Sequence, residues 1–172
     1  MKILKLINKI YWRLKNPEEY ARHIGVKIGN KCHIGIRDWG SEPYLIKIGN
    51  NVAITRGVML HTHGGARVAR TIYPDFDVFG RIIVEDNVYI GSGSQLMPGV
   101  TIGEGSLIAA GSIVTKSVPA GEVWGGNPAR RLCSVEEYIQ RNLKYNLDSK
   151  GLSPKDKKKL LLSLPQSAFI NK

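Results

Sequence analysis

The sequence is poor in cysteine and in aromatic residues. Its two cysteines, Cys32 and Cys133, stand far apart with no other residue at metal-ligand spacing. Neither a disulfide framework nor a zinc cluster is therefore predicted, and a reducing compartment is favoured. Aromatic residues make up 8% of the chain, and no stretch interleaves them with Lys and Arg as a platform for single-stranded nucleic acid would. We predict no nucleic-acid partner.

Long hydrophobic runs are also missing. Lys residues interrupt the apolar opening MKILKLINKI, and no small-residue cleavage site follows it. This pattern argues against a signal peptide or a membrane-spanning helix and favours the cytoplasm. The opening segment still has an apolar helical stripe, formed by Ile3, Ile7, Ile10 and Leu14. Such a helix packs against the protein or contacts the inner membrane surface peripherally, and the sequence leaves both open.

Acidic residues are fewer than basic residues. The 172 residues include 25 Lys and Arg against 14 Asp and Glu, which gives a formal net charge of +11. A balance of this kind favours an anionic partner, such as a phosphorylated small molecule or a membrane surface. The length suits one domain with short extensions, and the apolar content of 42% is sufficient for a core.

A six-residue step of aliphatic residues runs through the second half of the chain. Its members are Val84, Ile90, Leu96, Ile102, Ile108 and Val114. The residue two places before each later member is always small or β-branched: Val88, Ser94, Val100, Ser106 and Ser112. The remaining positions of each hexad are rich in glycine. Each hexad is thus predicted to be a short strand with alternating buried positions, followed by a corner.

The step of six also decides how these strands are arranged. Six residues are not a whole number of 3.6-residue helical turns, so a helix would not keep the aliphatic residues on one face. Three hexads make a three-sided coil of eighteen residues, which stacks on the next coil at about 4.8 Å and buries one aliphatic column per side. The prediction is a triangular parallel β-solenoid.

These hexads resemble the hexapeptide-repeat acyltransferase family. Earlier hexads, IGNKCH from Ile28 and IGNNVA ITRGVM LHTHGG from Ile48, extend the resemblance. It implies an all-β fold in which residues 26–128 form a left-handed parallel β-helix, the known exception to right-handed crossovers. Helix-capping residues in the flanks predict a helical N-terminal arm over residues 1–25 and a helical C-terminal arm over residues 129–172; they are Asn16 with Pro17, Ser134 with Glu137, and Ser153 with Pro154.

The register of the hexads places two histidines at a corner. Six-residue steps from Ile48 lead to Ile54 and Leu60, so His61, Thr62 and His63 fill the corner after Leu60. The two histidines cannot both be core residues at this corner. The six-residue step is then lost over residues 64–80 and resumes at Val84, which predicts a loop that leaves the β-helix and returns.

The resemblance is closest to polysaccharide and sugar O-acetyltransferases, which carry a Thr-His pair at this corner. It implies that His63 is a general base and that His61 orients it or binds the acceptor, although the corner alone leaves the choice between them open. Neutral imidazole, with a reference pKa of about 6.5, suits removal of a hydroxyl proton at neutral pH. Family members commonly have an acidic residue directly after the His, whereas this chain has Gly64, so that carboxylate must come from elsewhere.

The resemblance also implies a donor site for acetyl-CoA, with direct transfer, no acyl-enzyme and no metal. Ser92 and Ala110 hold equivalent corner positions eighteen residues apart, along which the pantetheine arm is expected to lie. The expected contacts to the phosphates of coenzyme A are the Thr115-Lys116 corner and Arg130 in the NPAR segment. Amides near Gly91 and Ser92 are the expected oxyanion donors.

The acceptor is expected to be a hydroxyl of a saccharide, such as a capsule, exopolysaccharide or lipid-linked sugar intermediate. The loop over residues 64–80 is the predicted acceptor site, since its side chains can stack on sugar rings, bind hydroxyls and pair with acids. The candidates are Arg67, Arg70, Tyr73, Asp75, Phe76 and Asp77. The resemblance further implies a homotrimer with intersubunit sites.

Other functions remain open from the sequence. An N-acetyltransferase acting on an amino sugar nucleotide fits the same residues. A non-catalytic solenoid scaffold fits the aliphatic columns but gives no reason for the corner histidines, the loop and the cationic C-terminal corner together. A zinc carbonic anhydrase of the same fold needs three histidine ligands, and the remaining His23 and His33 do not offer the third at the required spacing.

Overall fold

Strands of two or three residues, separated by corners, recur along the computed structural model, which describes residues 15–171. The repeated strands are β1 (Lys27–Ile28), β2 (His33–Ile34), β3 (Ile46–Ile48), β4 (Ala53–Ile54), β5 (Met59–Leu60), β6 (Ile82–Val84), β7 (Tyr89–Ile90), β8 (Gln95–Leu96), β9 (Thr101–Ile102), β10 (Leu107–Ile108) and β11 (Ile113–Val114). Two longer strands follow, β12 (Glu122–Gly126) and β13 (Ala129–Ser134).

Successive strands enter three different sheets. Sheet 1 has the order β1-β3-β6-β9, sheet 2 the order β2-β4-β7-β10-β12-β13, and sheet 3 the order β5-β8-β11. Every pairing among β1 to β12 is parallel. From β3 to β11 the chain therefore visits sheets 1, 2 and 3 in turn, and each circuit adds one layer. The first circuit, with β1 and β2, has no strand in sheet 3. The predicted parallel pairing of short strands is confirmed.

The predicted aliphatic step forms the core between the sheets. Pairs eighteen residues apart stand in register: Val84 with Ile102, Ile90 with Ile108, and Leu96 with Val114. All six are at most 1% exposed. Full burial of one such side chain contributes roughly 1.5–3 kcal/mol, so the columns dominate the stability of this part of the chain.

The inward serines of the hexads are buried and hydrogen-bonded. Ser94 donates to the Ala109 carbonyl at 2.9 Å, and Ser106 donates to the Pro119 carbonyl at 2.7 Å. A buried hydroxyl without a partner would be destabilising, whereas each of these hydroxyls donates a hydrogen bond to the carbonyl of another corner. The prediction that these positions face inward is confirmed.

Glycine is needed at the corners for two different reasons. At Gly91 an added Cβ would stand 2.4 Å from the Ala110 amide nitrogen in the next coil, so the close stacking of layers excludes a side chain. At Gly93 the backbone has φ +72°, a conformation that residues with a Cβ rarely adopt.

A helix precedes the first coil, as predicted. Helix α1 (Pro17–His23) begins after Asn16, whose side chain accepts a hydrogen bond from the Glu18 amide. Its Ala21 is fully buried and joins the core. The predicted helical stripe of residues 3–14 lies outside the described residues.

The expectation of a helical arm from residue 129 onward is wrong for its first six residues. The Gly-Gly-Asn-Pro segment reverses the chain, which then returns along sheet 2 as β13, antiparallel to β12. Backbone pairing decides this, because Gly126 pairs with Ala129, Gly125 with Arg130 and, after an irregularity at Val123/Trp124, Val123 with Cys133. Ala129 and Cys133 are buried, and the three residues between them are exposed. Arg131 Nε also pairs with Glu122 Oε1 of β12 at 2.9 Å.

Residues from 136 onward form a second compact unit. Helix α3 (Val135–Asn142) leads into it, and helix α4 (Pro154–Ser163) begins after Ser153, whose hydroxyl accepts from the Asp156 amide. Short 3-10 turns cover Leu143–Tyr145 and Gln166–Ala168. Within residues 15–171, none of the helices has the length and apolar character needed to cross a membrane.

Candidate active site

The corner after β5 carries the two predicted histidines, and the loop over residues 64–80 starts from it. The loop contains a short helix, α2 (Ala66–Ala69). Its two ends meet, because the Gly80 amide donates to the Thr62 carbonyl at 2.8 Å and His63 forms an antiparallel bridge with Phe79. The predicted departure from the coil and return to it are both present.

A carboxylate from the preceding coil meets this corner. Glu42 Oε2 lies 2.7 Å from His63 Nδ1, and Thr62 Oγ1 donates to the same oxygen at 2.6 Å. The Glu42 side chain is 14% exposed and that of His63 is 41% exposed. Glu42 thus supplies the carboxylate that the sequence lacks at position 64.

The environment of Glu42 keeps it ionised and fixes the histidine tautomer. Its pKa is lowered from the ordinary value, first by the hydrogen bond from Thr62 and then by the hydrogen bond and charge of His63. An ionised carboxylate only accepts, so His63 Nδ1 carries the hydrogen in this bond. The other ring nitrogen, Nε2, is left with a lone pair when the imidazole is neutral.

Sequence reasoning missed Glu42, and a signal for it existed. Ile28 and Ile48 are paired across β1 and β3 although they lie 20 residues apart, so the first coil is longer than eighteen residues. The irregular stretch after β2 replaces the third side of that coil, directly below the corner that holds His63. It contains two acids, Asp38 and Glu42, and Asp38 accepts from the Gly40 amide in its own turn. The sequence does not distinguish the two acids.

His61 has a different partner from His63. Its Nε2 lies 3.1 Å from Oε1 of Gln95, which belongs to β8 in the next coil. An amide oxygen accepts, so His61 donates through Nε2 and retains Nδ1 as an acceptor. Only His63 has a carboxylate beside it, which favours His63 as the base.

A pocket of about 300 Å³ opens beside His63. Its wall is formed by Glu42, the loop and Phe79, whose ring centroid lies 5.7 Å from that of His63. Of the predicted acceptor residues, Arg67, Arg70 and Asp77 line this pocket. Phe79 was not among the candidates, and its position follows from its pairing with His63 at the neck of the loop.

The other predicted acceptor residues lie away from the pocket. Tyr73 and Asp75 are exposed on the outer part of the loop. Phe76 contributes its carbonyl, which accepts from Arg70 Nε at 2.9 Å, while Arg70 Nη2 pairs with Asp77 at 3.2 Å. Arg70 therefore links α2 to the later part of the loop.

The predicted donor residues stack along an edge of the coil that we call the donor edge, formed by the corners after sheet 2 at residues 55–57, 91–93 and 109–111. The Gly111 amide donates to the Ser92 carbonyl at 2.9 Å, which places Ser92 and Ala110 in adjacent layers as predicted. The Gly91 amide donates to the Ile108 carbonyl at 2.8 Å and is not free for an oxyanion. Gly91 is therefore withdrawn as an oxyanion donor, and Ser92 stays a prediction.

The cationic candidates divide between two edges. Arg130 pairs with Gly125 across the β12–β13 hairpin, at the end of the donor edge. Thr115 and Lys116 instead belong to the catalytic edge, our name for the corners after sheet 3 at residues 61–63, 97–99 and 115–117. This edge is continuous, since the His61 amide donates to the Leu96 carbonyl and the Met97 amide to the Val114 carbonyl. Within one chain, the donor edge and the catalytic edge are separated by sheet 3.

Possible metal ligands do not gather at either edge. Among residues 15–171, no group of three His, Cys, Asp or Glu side chains is placed to hold a metal ion.

Comparisons with known proteins agree with this fold. Residues 81–116 match the family described as bacterial transferase hexapeptide (six repeats). The chain is 45% identical to Protein CapG from Staphylococcus aureus over 150 residues, which are 85% of this chain and 87% of that protein. The chain belongs to the hexapeptide-repeat transferase family. It is an acyltransferase enzyme.

Solved structures of the family share the fold. A hexapeptide-repeat acetyltransferase from Vibrio cholerae has a TM-score of 0.59 at 25% identity, covering 74% of this chain and 86% of its own. Its complex with acetyl coenzyme A gives a TM-score of 0.53 at 27% identity, over 70% of this chain and 78% of that one. A galactoside acetyltransferase in complex with coenzyme A gives 0.54 at 26% identity, covering 75% and 78%.

Proposed function

We propose that the protein transfers an acetyl group from acetyl-CoA directly to a hydroxyl of a saccharide. The observation that carries this proposal is the His63–Glu42 pair beside an open pocket at the foot of the loop. The complexes of the related acetyltransferases with acetyl coenzyme A and coenzyme A support the choice of donor. The galactoside acetyltransferase supports a sugar as acceptor.

The chemistry follows from the protonation of His63. Nε2 takes the proton of the acceptor hydroxyl as its oxygen bonds to the thioester carbonyl carbon. Glu42, which holds Nδ1–H, stabilises the imidazolium that forms. The tetrahedral oxyanion then collapses, the C–S bond breaks, and the imidazolium returns its proton to the leaving thiolate. Neither free cysteine is needed, because Cys133 is buried and Cys32 lies outside both edges.

We also propose that the β-helix is left-handed and that the active site lies between two subunits. Because His63 and Ser92 lie on different edges of one chain, one chain does not bring both to the same acyl group. A neighbouring copy that sets its donor edge against this catalytic edge would join them, and threefold repetition of that contact closes a ring. Lys116, on the catalytic edge, would then face the same donor molecule as Arg130 of the neighbour. The two free cysteines are consistent with a cytoplasmic enzyme.

We expect the active species to be a homotrimer. Each subunit has one catalytic edge and one donor edge, so three equivalent sites form only when the ring closes. Multi-angle light scattering should give about three times the chain mass of 19.0 kDa, and activity should fall on dilution together with the trimer. An active monomer would contradict this assembly.

The function itself is tested by acetyl transfer. Purified protein is incubated with acetyl-CoA and a panel of sugars, sugar nucleotides and oligosaccharides, and both thiol release and acetylated product are measured. We expect product with an ester at a sugar hydroxyl and no acetylated protein intermediate. An amide product from amino sugars alone would replace O-transfer by N-transfer, and absence of any acetyl transfer would refute the proposal.

A further inference from the structure

One charged side chain at the pocket beside His63 has no partner among the described residues. Two carboxylates and two guanidinium groups line it, and three of these four already have partners. Glu42 is held by Thr62 and His63, and Asp77 is paired with Arg70 at 3.2 Å. The guanidinium of Arg67 makes no hydrogen bond or ion pair with any residue in the stretch 15–171.

We propose that the pocket binds an anionic group of the acceptor, a carboxylate or a phosphate, and that Arg67 selects it. This inference rests on the proposed acetyl transfer and names its substrate class as acidic saccharides. A planar guanidinium matches carboxylate and phosphate oxygens with two parallel hydrogen bonds, so an anion satisfies it better than a sugar hydroxyl does.

The position of Arg67 suits this role. It lies on α2, four residues after His63, and both side chains line the same pocket. The volume of about 300 Å³ is at the lower end of the range in which small ligands bind. The Phe79 ring beside His63 offers an apolar face for a sugar ring. The Arg70–Asp77 ion pair occupies the Asp77 carboxylate, which leaves the Arg67 guanidinium available for the anion.

Matched pairs of acceptors test the proposal on the whole enzyme. Glucose is compared with glucuronate and with glucose 1-phosphate, and galactose with galacturonate, in steady-state transfer assays at low and high salt. Since a hydrogen bond to a charged group contributes about 1.5–3 kcal/mol, KM for an acidic member should be about 10- to 100-fold below that of its neutral match. High salt should reduce the preference. A carboxylate preference would indicate uronic acid residues, and a phosphate preference would indicate sugar phosphates or nucleotide sugars.

Variants at Arg67 separate selection from catalysis. In Arg67→Ala the preference should disappear through a rise in KM for the acidic acceptors, whereas Arg67→Lys should retain part of it. The control is Arg81→Ala, an exposed arginine just after the loop that does not line the pocket; it should keep the full preference. Equal use of acidic and neutral sugars by the unaltered enzyme, or an unchanged preference in Arg67→Ala, would overturn the proposal and leave acetyl transfer intact.

Calorimetry decides the matter even if no panel member is acetylated. Glucuronate and glucose 1-phosphate are titrated into the unaltered enzyme and into Arg67→Ala. At least one should bind the unaltered enzyme and bind the variant 10- to 100-fold more weakly. Absence of binding by both, or equal binding to the two proteins, would overturn the inference. Failure of transfer with such binding present would count against the proposed function alone.

Discussion

Replacing His63 by Ala is expected to lower kcat for acetyl transfer by about 10² to 10⁴, the usual contribution of a positioned general base. The imidazole is the group beside the pocket that can take a hydroxyl proton, and its Nδ1 is already bound to Glu42. Binding of coenzyme A, measured by calorimetry, should be almost unchanged, because the ring contributes proton transfer and not donor affinity. Light scattering should show the same assembly.

Two further histidine variants make this result specific. His61→Ala should cost less, since His61 is bound to the Gln95 amide and has no carboxylate beside it. His33→Ala removes an exposed histidine from β2 in the first coil and should have no effect on kcat. A larger loss in His61→Ala than in His63→Ala would show that the base is at the first corner position and not the third.

The core and the corners were predictable because their sequence pattern is periodic. Each inward aliphatic residue meets another eighteen residues later, so one column of equivalent environments imposes the same demand on every coil. Ile90 and Ile108 show this directly, since both are fully buried and stand in register. Periodicity also placed His61 and His63 at a corner without any knowledge of their neighbours.

The parts that escaped prediction are those where the period is broken. Glu42 lies in an irregular side of the first coil, and Phe79 lies in the loop, where no register connects a residue to its neighbour in space. Gly91 failed as an oxyanion donor for a different reason. A glycine is required at position 91 because Ala110 approaches it closely, and the Gly91 amide is already bound to the Ile108 carbonyl. Packing therefore explains this residue, to which the resemblance had assigned a catalytic role.

The strand at residues 129–134 was missed because its sequence, ARRLCS, has no two-residue alternation of apolar and polar side chains. The six residues were assigned to the helical arm that Ser134 and Glu137 predict. In the structure Ala129 and Cys133 are buried, and the three residues between them are exposed. Pairing with the last coil decides the conformation of such a short segment.

Replacing Glu42 by Gln is expected to lower kcat on the order of 10²-fold at pH 7 and to move the acidic limb of the pH–rate profile to lower pH. Gln cannot balance the charge of an imidazolium, so the protonated form of His63 loses its stabilisation, and its amide can also present a donor where the ring needs an acceptor. The pKa of Glu42 is lowered in the folded protein, chiefly by the Thr62 hydrogen bond. The carboxylate is therefore ionised across the assay range, and the variant alters its charge at every pH tested.

The sign of the accompanying stability change follows from the same shift. A carboxyl whose folded pKa is depressed contributes stability that is complete above its unfolded pKa of about 4.3 and is lost as the pH falls through the folded value. Glu42→Gln should accordingly have a lower Tm than the unaltered protein at pH 7, with the difference narrowing under acidic conditions. Thr62→Val is the matched control: it removes the hydrogen bond to Glu42 but keeps the His63–Glu42 pair, so it should lower Tm while leaving the acidic limb almost in place. A Glu42→Gln profile that keeps its acidic limb and differs from the unaltered enzyme only in Tm would make Glu42 a structural residue and not a positioning one.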